Sequence, residues 1–188
     1  MRVLIAEDEA LIRMDLREML SEEGHEVVGE ARDGVEAVEL ARELKPDVVF
    51  MDVKMPRKDG IAAACEIAAE SIAPVVMVTA FSQQGYVEDA CAAGAMAYVV
   101  KPFSRRDILP AMQVAVSRFA EARELEHEVS DLNERLETRK VVDRAKAVLI
   151  AKGMTEPEAF RRLQKLAMDK RLPLRQVAEA VLLASETE

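Results

Sequence analysis

The sequence predicts a doubly wound α/β domain built on a five-stranded parallel sheet, followed by a long coiled-coil-like helix and a small three-helix all-α domain. Three observations carry this. Between residues 1 and 120, five short apolar runs with little polar alternation are separated by stretches of helical period, the pattern of strands buried on both faces and joined by crossover helices. From Phe119 no proline or glycine occurs until Gly153, as one long helix requires. The charge also changes along the chain: residues 1–120 hold 13 basic and 21 acidic side chains, whereas residues 139–175 hold 11 basic and 4 acidic. The expected limits are 1–120 for the α/β domain, 121–138 for a linker helix and 139–188 for the helical module.

Each element has its own signal. "RVLIA" is a β-rich run, and Leu11, Ile12, Met14, Leu16, Met19 and Leu20 then recur with helical spacing up to Gly24, a fitting cap. "EVVGE" is a second strand; the next helix starts near Asp33 and stops at Pro46. "DVVFM" is the third strand and "DGIAAACEIAAE" the third helix. "APVVMVTA" is the fourth strand, residues 82–94 a helix closed by Gly94, and "MAYVV" the fifth strand. A helix carrying Pro110 ends the domain.

Composition excludes several classes. With 50% hydrophobic and 32% charged residues the chain suits an ordinary globular protein. Cys65 and Cys91 lie far apart in Ala-rich surroundings, which favours reduced core thiols over a disulfide or a zinc knot. The start lacks the features of a signal peptide, and no stretch reaches the roughly 20 apolar residues of a membrane span. No membrane partner is expected, and the chain should stay in the cytoplasm. Neither G-x-G-x-x-G nor G-x-x-x-x-G-K-[ST] occurs, so dinucleotide and P-loop chemistry lack their cradles.

The chemistry-bearing residues fall at the carboxyl ends of the strands, where open α/β sheets place ligands. Glu7, Asp8 and Glu9 follow the first strand, Asp52 ends the third, Thr79 the fourth and Lys101 the fifth. Glu9 also fits a plain helix cap. Asp8 and Asp52 close together would repel, and a hard cation relieves that repulsion; Mg²⁺ takes one or two carboxylates and fills its shell with water and phosphate oxygens. Lys101 suits a phosphoryl oxygen and Thr79 offers a hydroxyl donor. Such a site lets Asp52 attack phosphorus while the cation and Lys101 spread the charge.

Residues 2 to about 120 resemble the receiver domain of two-component response regulators, through "VLIAEDE", "MDVKMPRKDG", "VVMVTA" and "YVVKPF" in that order. The resemblance implies a flavodoxin-like sheet, Mg²⁺ held by Asp8, Asp52 and the backbone carbonyl of Lys54 with Glu7 acting through water, and Asp52 as phosphoacceptor for a sensor histidine kinase. It implies Thr79 and Lys101 as phosphoryl contacts, Tyr98 as an aromatic switch that turns inward, and a cis bond before Pro102. Such a domain is no enzyme beyond its own phosphorylation and slow dephosphorylation. Glu7 departs from the family's usual Asp. Pro56 and Gly60 shape the loop after the acceptor.

Beyond residue 120, Ala122, Leu125, Val129, Leu132 and Leu136 are spaced 3, 4, 3 and 4. This narrow stripe suits a dimer seam. Thr155 and Glu158 have capping-box spacing. Ala159, Phe160, Leu163, Leu166 and Ala167 then line one helix, and Leu174, Val177, Ala178, Val181 and Leu182 another. Phe160 is expected as a core plug. The basic residues Arg139, Lys140, Arg144, Lys146, Arg171 and Arg175 fit a nucleic-acid footprint.

Residues 124–185 resemble the ANTAR domain, a three-helix RNA-binding module of transcription antiterminators, through "RAK", "GMTEPEAF", "LQKLAM" and "QVAEAV". The resemblance implies that phosphorylation promotes a homodimer whose paired modules hold hairpins in a nascent transcript, with contacts from Arg144, Lys146, Arg171 and Arg175. Ala147 departs from the common Gly. A DNA-binding response regulator and a phosphorelay or scaffold protein with a protein-binding tail remain the alternatives at this point.

Overall fold

The computed structural model describes residues 1–80 and 94–186. The helix expected over residues 82–94, with Cys91, lies outside them except for Gly94. The elements run β1 (Arg2–Ala6), α1 (Ala10–Glu22), β2 (Glu26–Ala31), α2 (Gly34–Leu44), β3 (Val48–Asp52), α3 (Gly60–Ala69), β4 (Val75–Thr79) and β5 (Ala97–Val100). Three helices follow, which we label α4 (Arg105–Ala151), α5 (Glu156–Lys170) and α6 (Leu174–Glu186). The strands form one sheet in the order β2-β1-β3-β4-β5, with every neighbouring pair parallel.

The chain divides into two units, residues 1–124 and 125–188. In the first, pleating sends alternate residues to opposite faces of the sheet. Leu4, Ala6, Val49, Met51, Val75 and Met77 pack with Ala37, Val38, Ala41, Ala63, Ala64 and Ile67 of α2 and α3. Val3, Ile5, Val48, Phe50, Val76 and Val78 pack with Leu16 and Leu20 of α1 and with Ile108, Met112 and Ala115 of α4. Each fully buried Leu, Ile, Val or Phe contributes about 1.5–3 kcal/mol, which explains why strands buried on both sides show no polar alternation.

One expectation for the first unit needs correction. Cys65 is exposed rather than a core thiol, because α3 turns Ala63, Ala64 and Ile67 inward and the intervening position faces out. The helix expected after β1 is observed as α1; of its apolar series Leu16 and Leu20 are fully buried, Leu11 and Met14 are exposed, and Arg13 takes an inward place.

In the second unit, Val142, Ala145 and Leu149 of α4, Ala159 and Leu163 of α5, and Val177 and Ala178 of α6 form a separate core. Glu158 accepts from the Thr155 N–H at 2.9 Å and from its hydroxyl at 2.7 Å, so the expected capping box starts α5. Arg171 ends it in the left-handed region at φ 54°. Phe160 is not the core plug: it is 38% exposed. Ala159 and Leu163 lie one turn apart on the inward stripe, and one residue of helix, about 100°, rotates position 160 off it. Among the described residues, no helix is long and apolar enough to cross a membrane.

Candidate functional site

The strand order reverses its winding between β1 and β3, so a crevice opens at the carboxyl ends of those strands. β1 delivers Glu7 and Asp8, β3 Asp52, β4 Thr79, and the chain leaving β5 Lys101. Carboxylate oxygens of Glu7, Asp8 and Asp52 lie within 4.8 Å of one another. The Lys101 Nζ stands 2.7 Å from Glu7 Oε2 and 3.2 Å from Asp52 Oδ2. A cavity of about 350 Å³ opens here, lined by Asp8, Asp52, Lys54, Thr79 and Lys101 among others.

Glu7, Asp52 and Thr79 are buried, whereas Asp8 is exposed. Burial pushes the Glu7 and Asp52 carboxyls above their usual range, and their negative neighbours add to the push, only partly offset by Lys101. Burial alone would lower the Lys101 ammonium; the hydrogen bond to Glu7 and the charge of Asp52 outweigh it and hold the group above its ordinary value. The pocket therefore holds more negative charge than it can solvate. Its donors are all hard oxygens and it is open enough for water, so these residues fit a divalent cation such as Mg²⁺.

Backbone bonds hold Asp52 and Lys101 in place. Asp52 Oδ1 accepts from the Val53 N–H at 2.8 Å, Gly60 N–H donates to the Val53 carbonyl at 2.9 Å, and Lys101 N–H donates to the Thr79 carbonyl at 2.7 Å. The Lys101–Pro102 peptide is cis. Tyr98 is 49% exposed and is not among the residues lining this cavity.

Two supports were not singled out from the sequence. The nearly buried Arg13 donates to the Glu7 carbonyl at 2.6 Å and to Glu30 at 3.1 Å, bracing the acidic loop from α1. Its position three and seven residues before Leu16 and Leu20 was the available signal. Asp33 caps α2 by accepting from the Val35 and Glu36 N–H groups at 2.9 and 3.1 Å and also pairs with Arg57 in the loop after Asp52. The Gly34 N–H donates to Lys58 O at 3.1 Å. No local pattern announces a tie between residues so distant in sequence.

Burial pushes the Asp33 carboxyl up, but the Glu36 and Val35 N–H groups and Arg57 outweigh it and hold the carboxyl below its usual value. A carboxyl lowered in the folded state stabilises fully above its unfolded pKa, about 3.9, and loses that contribution as pH falls through the folded value. Asp33→Ala should therefore cost about 0.5–2 kcal/mol at neutral pH, the loss of a helix cap. Urea unfolding at descending pH should show this penalty shrinking below about pH 3.9.

In the second unit the expected contacts divide. Lys146 bridges Asp143 at 2.8 Å and Glu156 at 3.1 Å, tying α4 to the start of α5. Lys140 pairs with Glu137 at 2.7 Å, Arg175 with Glu179 at 2.9 Å, and Arg139 lies 3.9 Å from Asp143. Arg144 and Arg171 are exposed. Leu125, Val129, Leu132 and Leu136 are all more than half exposed among the described residues.

The sequence matches the family model "Response regulator receiver domain" over residues 3–113 and "ANTAR domain" over residues 130–182. Transcriptional regulatory protein PdtaR of Mycobacterium tuberculosis is 66% identical over 182 residues, covering 96% of this chain and 89% of that protein. The signal receiver domain of the putative response regulator NarL from Mycobacterium tuberculosis superposes with a TM-score of 0.59 at 31% identity, over 62% of this chain and 95% of that one. A chain of the CheX–CheY–BeF3–Mg²⁺ complex from Borrelia burgdorferi gives 0.56 at 30% identity, over 63% and 88%. With a receiver crevice at its strand ends and a basic helical module after it, the chain belongs to the response regulator receiver family, as a non-enzymatic, phosphorylation-linked regulator carrying an RNA-binding ANTAR antitermination module.

Proposed function

We propose that Asp52 accepts a phosphoryl group from a sensor histidine kinase in the cytoplasm, and that the modified chain dimerises and holds hairpins in nascent transcripts against termination. The observation that carries this reading is the convergence of Glu7, Asp8, Asp52, Thr79 and Lys101 from four strand ends on one crevice. Glu7, Asp8, Asp52 and the carbonyl of Lys54 would hold Mg²⁺, whose charge offsets the carboxylates and the incoming phosphoryl oxygens. An Asp52 carboxylate oxygen attacks phosphorus as the bond to the histidine nitrogen breaks. Lys101 shifts from its carboxylate partners toward a phosphoryl oxygen, Thr79 donates its hydroxyl, and Tyr98 turns inward behind it.

The exposed stripe of Leu125, Val129, Leu132 and Leu136 in the linker, residues 121–138, is the proposed seam of the homodimer. Under three heptads long, it binds weakly enough for a switch. Sedimentation should show phosphorylation moving the chain toward a dimer, and polar substitutions at Leu125 and Leu132 should abolish that shift. Equal masses for both forms would reject the seam.

The ligand reading rests on the basic segment 139–175, with Arg139, Lys140, Arg144, Lys146, Arg171 and Arg175 as candidate contacts. The experiment is binding of the phosphorylated chain to leader RNA and to duplex DNA across a salt series. A slope falling by roughly 0.7 per single-strand phosphate lost is expected for Arg144→Ala and for Arg171→Ala. Lys146→Ala should in addition loosen the α4–α5 contact. A DNA preference at every salt concentration would favour a DNA-binding regulator instead.

A further inference from the structure

Phe160 is the only Phe, Tyr or Trp between residues 125 and 188. The fold leaves it 38% exposed while the core beside it closes over Ala159 and Leu163. Phe160 and Leu174 supply apolar lining to a cavity of about 690 Å³ within this unit, whose charged lining is Arg135, Arg139 and Lys146 with Asp131, Glu134 and Asp143. That volume is in the range of small-ligand sites, which combine apolar surface with a few polar groups.

We propose that this cavity is a nucleobase pocket: one unpaired base of an RNA loop leaves its stack and lies against the Phe160 ring, while flanking phosphates meet Arg135 and Arg139. The inference rests on the RNA-binding reading and adds where and how a base is read. A ring face receives any base, which is how proteins hold splayed loop nucleotides. Selectivity comes from the carboxylates, which only accept hydrogen bonds. Asp131 and Glu134 favour a base with an amino group over uracil, whose carbonyls flank its single donor. An acid-lined aromatic cavity also suits a basic peptide side chain, but Arg135, Arg139 and Lys146 line the same cavity and the adjoining residues 139–175 hold 11 basic against 4 acidic side chains, which repel that occupant.

The test uses the full phosphorylated chain and a pool of stem-loop RNAs with randomised loops. Loops enriched by the parent protein should carry an amino-bearing base at one position; equal tolerance of uracil at every position overturns the proposal without any mutant. The tightest RNA is then made with one loop base at a time removed. Phe160→Leu should weaken binding of the intact RNA by about ten- to a hundredfold, the worth of one base stacked on an aromatic ring, with its salt slope unchanged. Phe160→Tyr, which keeps the ring, should bind like the parent. On the RNA lacking the pocketed base, Phe160→Leu should cost nothing further, the non-additivity expected of contacting groups. An equal loss on every abasic RNA, or no loss on any, rejects the pocket. If Phe160→Leu matches the parent while Arg144→Ala loses affinity, the pocket fails and the RNA reading stands; if the parent binds no stem-loop at all, both fall.

Discussion

Asp52→Asn should abolish phosphorylation of the chain by a small phosphodonor such as acetyl phosphate, with hydroxylamine-labile label reduced to background. Asp52 is the one carboxylate that ends a strand inside the crevice, lies within reach of Lys101 at 3.2 Å and is backed by the Val53 N–H at 2.8 Å. The fold should survive. Burial holds the Asp52 carboxyl above its usual range, so any stability tied to its neutral form is complete below the unfolded pKa and lost as pH rises through the folded value. A neutral amide removes that cost at neutral pH. Urea unfolding without divalent cation should accordingly find Asp52→Asn no less stable than the parent, and label persisting at full stoichiometry would move the acceptor elsewhere. Chelation of divalent cations should suppress labelling of the parent.

Gly60→Ala should be the most damaging Gly→Ala substitution among the described glycines of the first unit. An added Cβ would overlap the Asp52 carbonyl oxygen and come within 2.9 Å of its carbon and 3.2 Å of the Met51 side chain. Backbone cannot yield as the end of a flexible side chain can, and the Gly60 N–H is already bonded to the Val53 carbonyl at 2.9 Å. Overpacking of this kind costs about 1–3 kcal/mol or more, and here the atom displaced belongs to Asp52 itself. Urea unfolding should show a loss at or above the top of that range, together with slower phosphorylation. A loss below about 1 kcal/mol would mean the loop gives way more readily than its hydrogen bonds suggest. Gly34→Ala, whose Cβ would meet Lys58 O at 2.5 Å, should strain the opposite side of the same loop.

What the sequence determined by itself was the sheet, its parallel sense and the strand ends carrying Asp8, Asp52, Thr79 and Lys101. Buried parallel strands write continuous apolar runs, and an acid or a lysine at the end of such a run stands out locally. The stripe through Leu125, Val129, Leu132 and Leu136 was legible because its spacing is local to one helix, and among the described residues it is left more than half exposed. The tertiary structure alone decided which polar groups share a partner. That Arg13 holds the Glu7 carbonyl, that Asp33 reaches Arg57, and that Lys146 joins α4 to α5 are ties between residues whose separation in sequence carries no pattern. Facing decided the rest. Cys65 and Phe160 each sit beside inward residues and read as core, yet at about 100° per residue a helix turns an immediate neighbour off the buried stripe, and only the packing of the other helices fixes where that stripe ends.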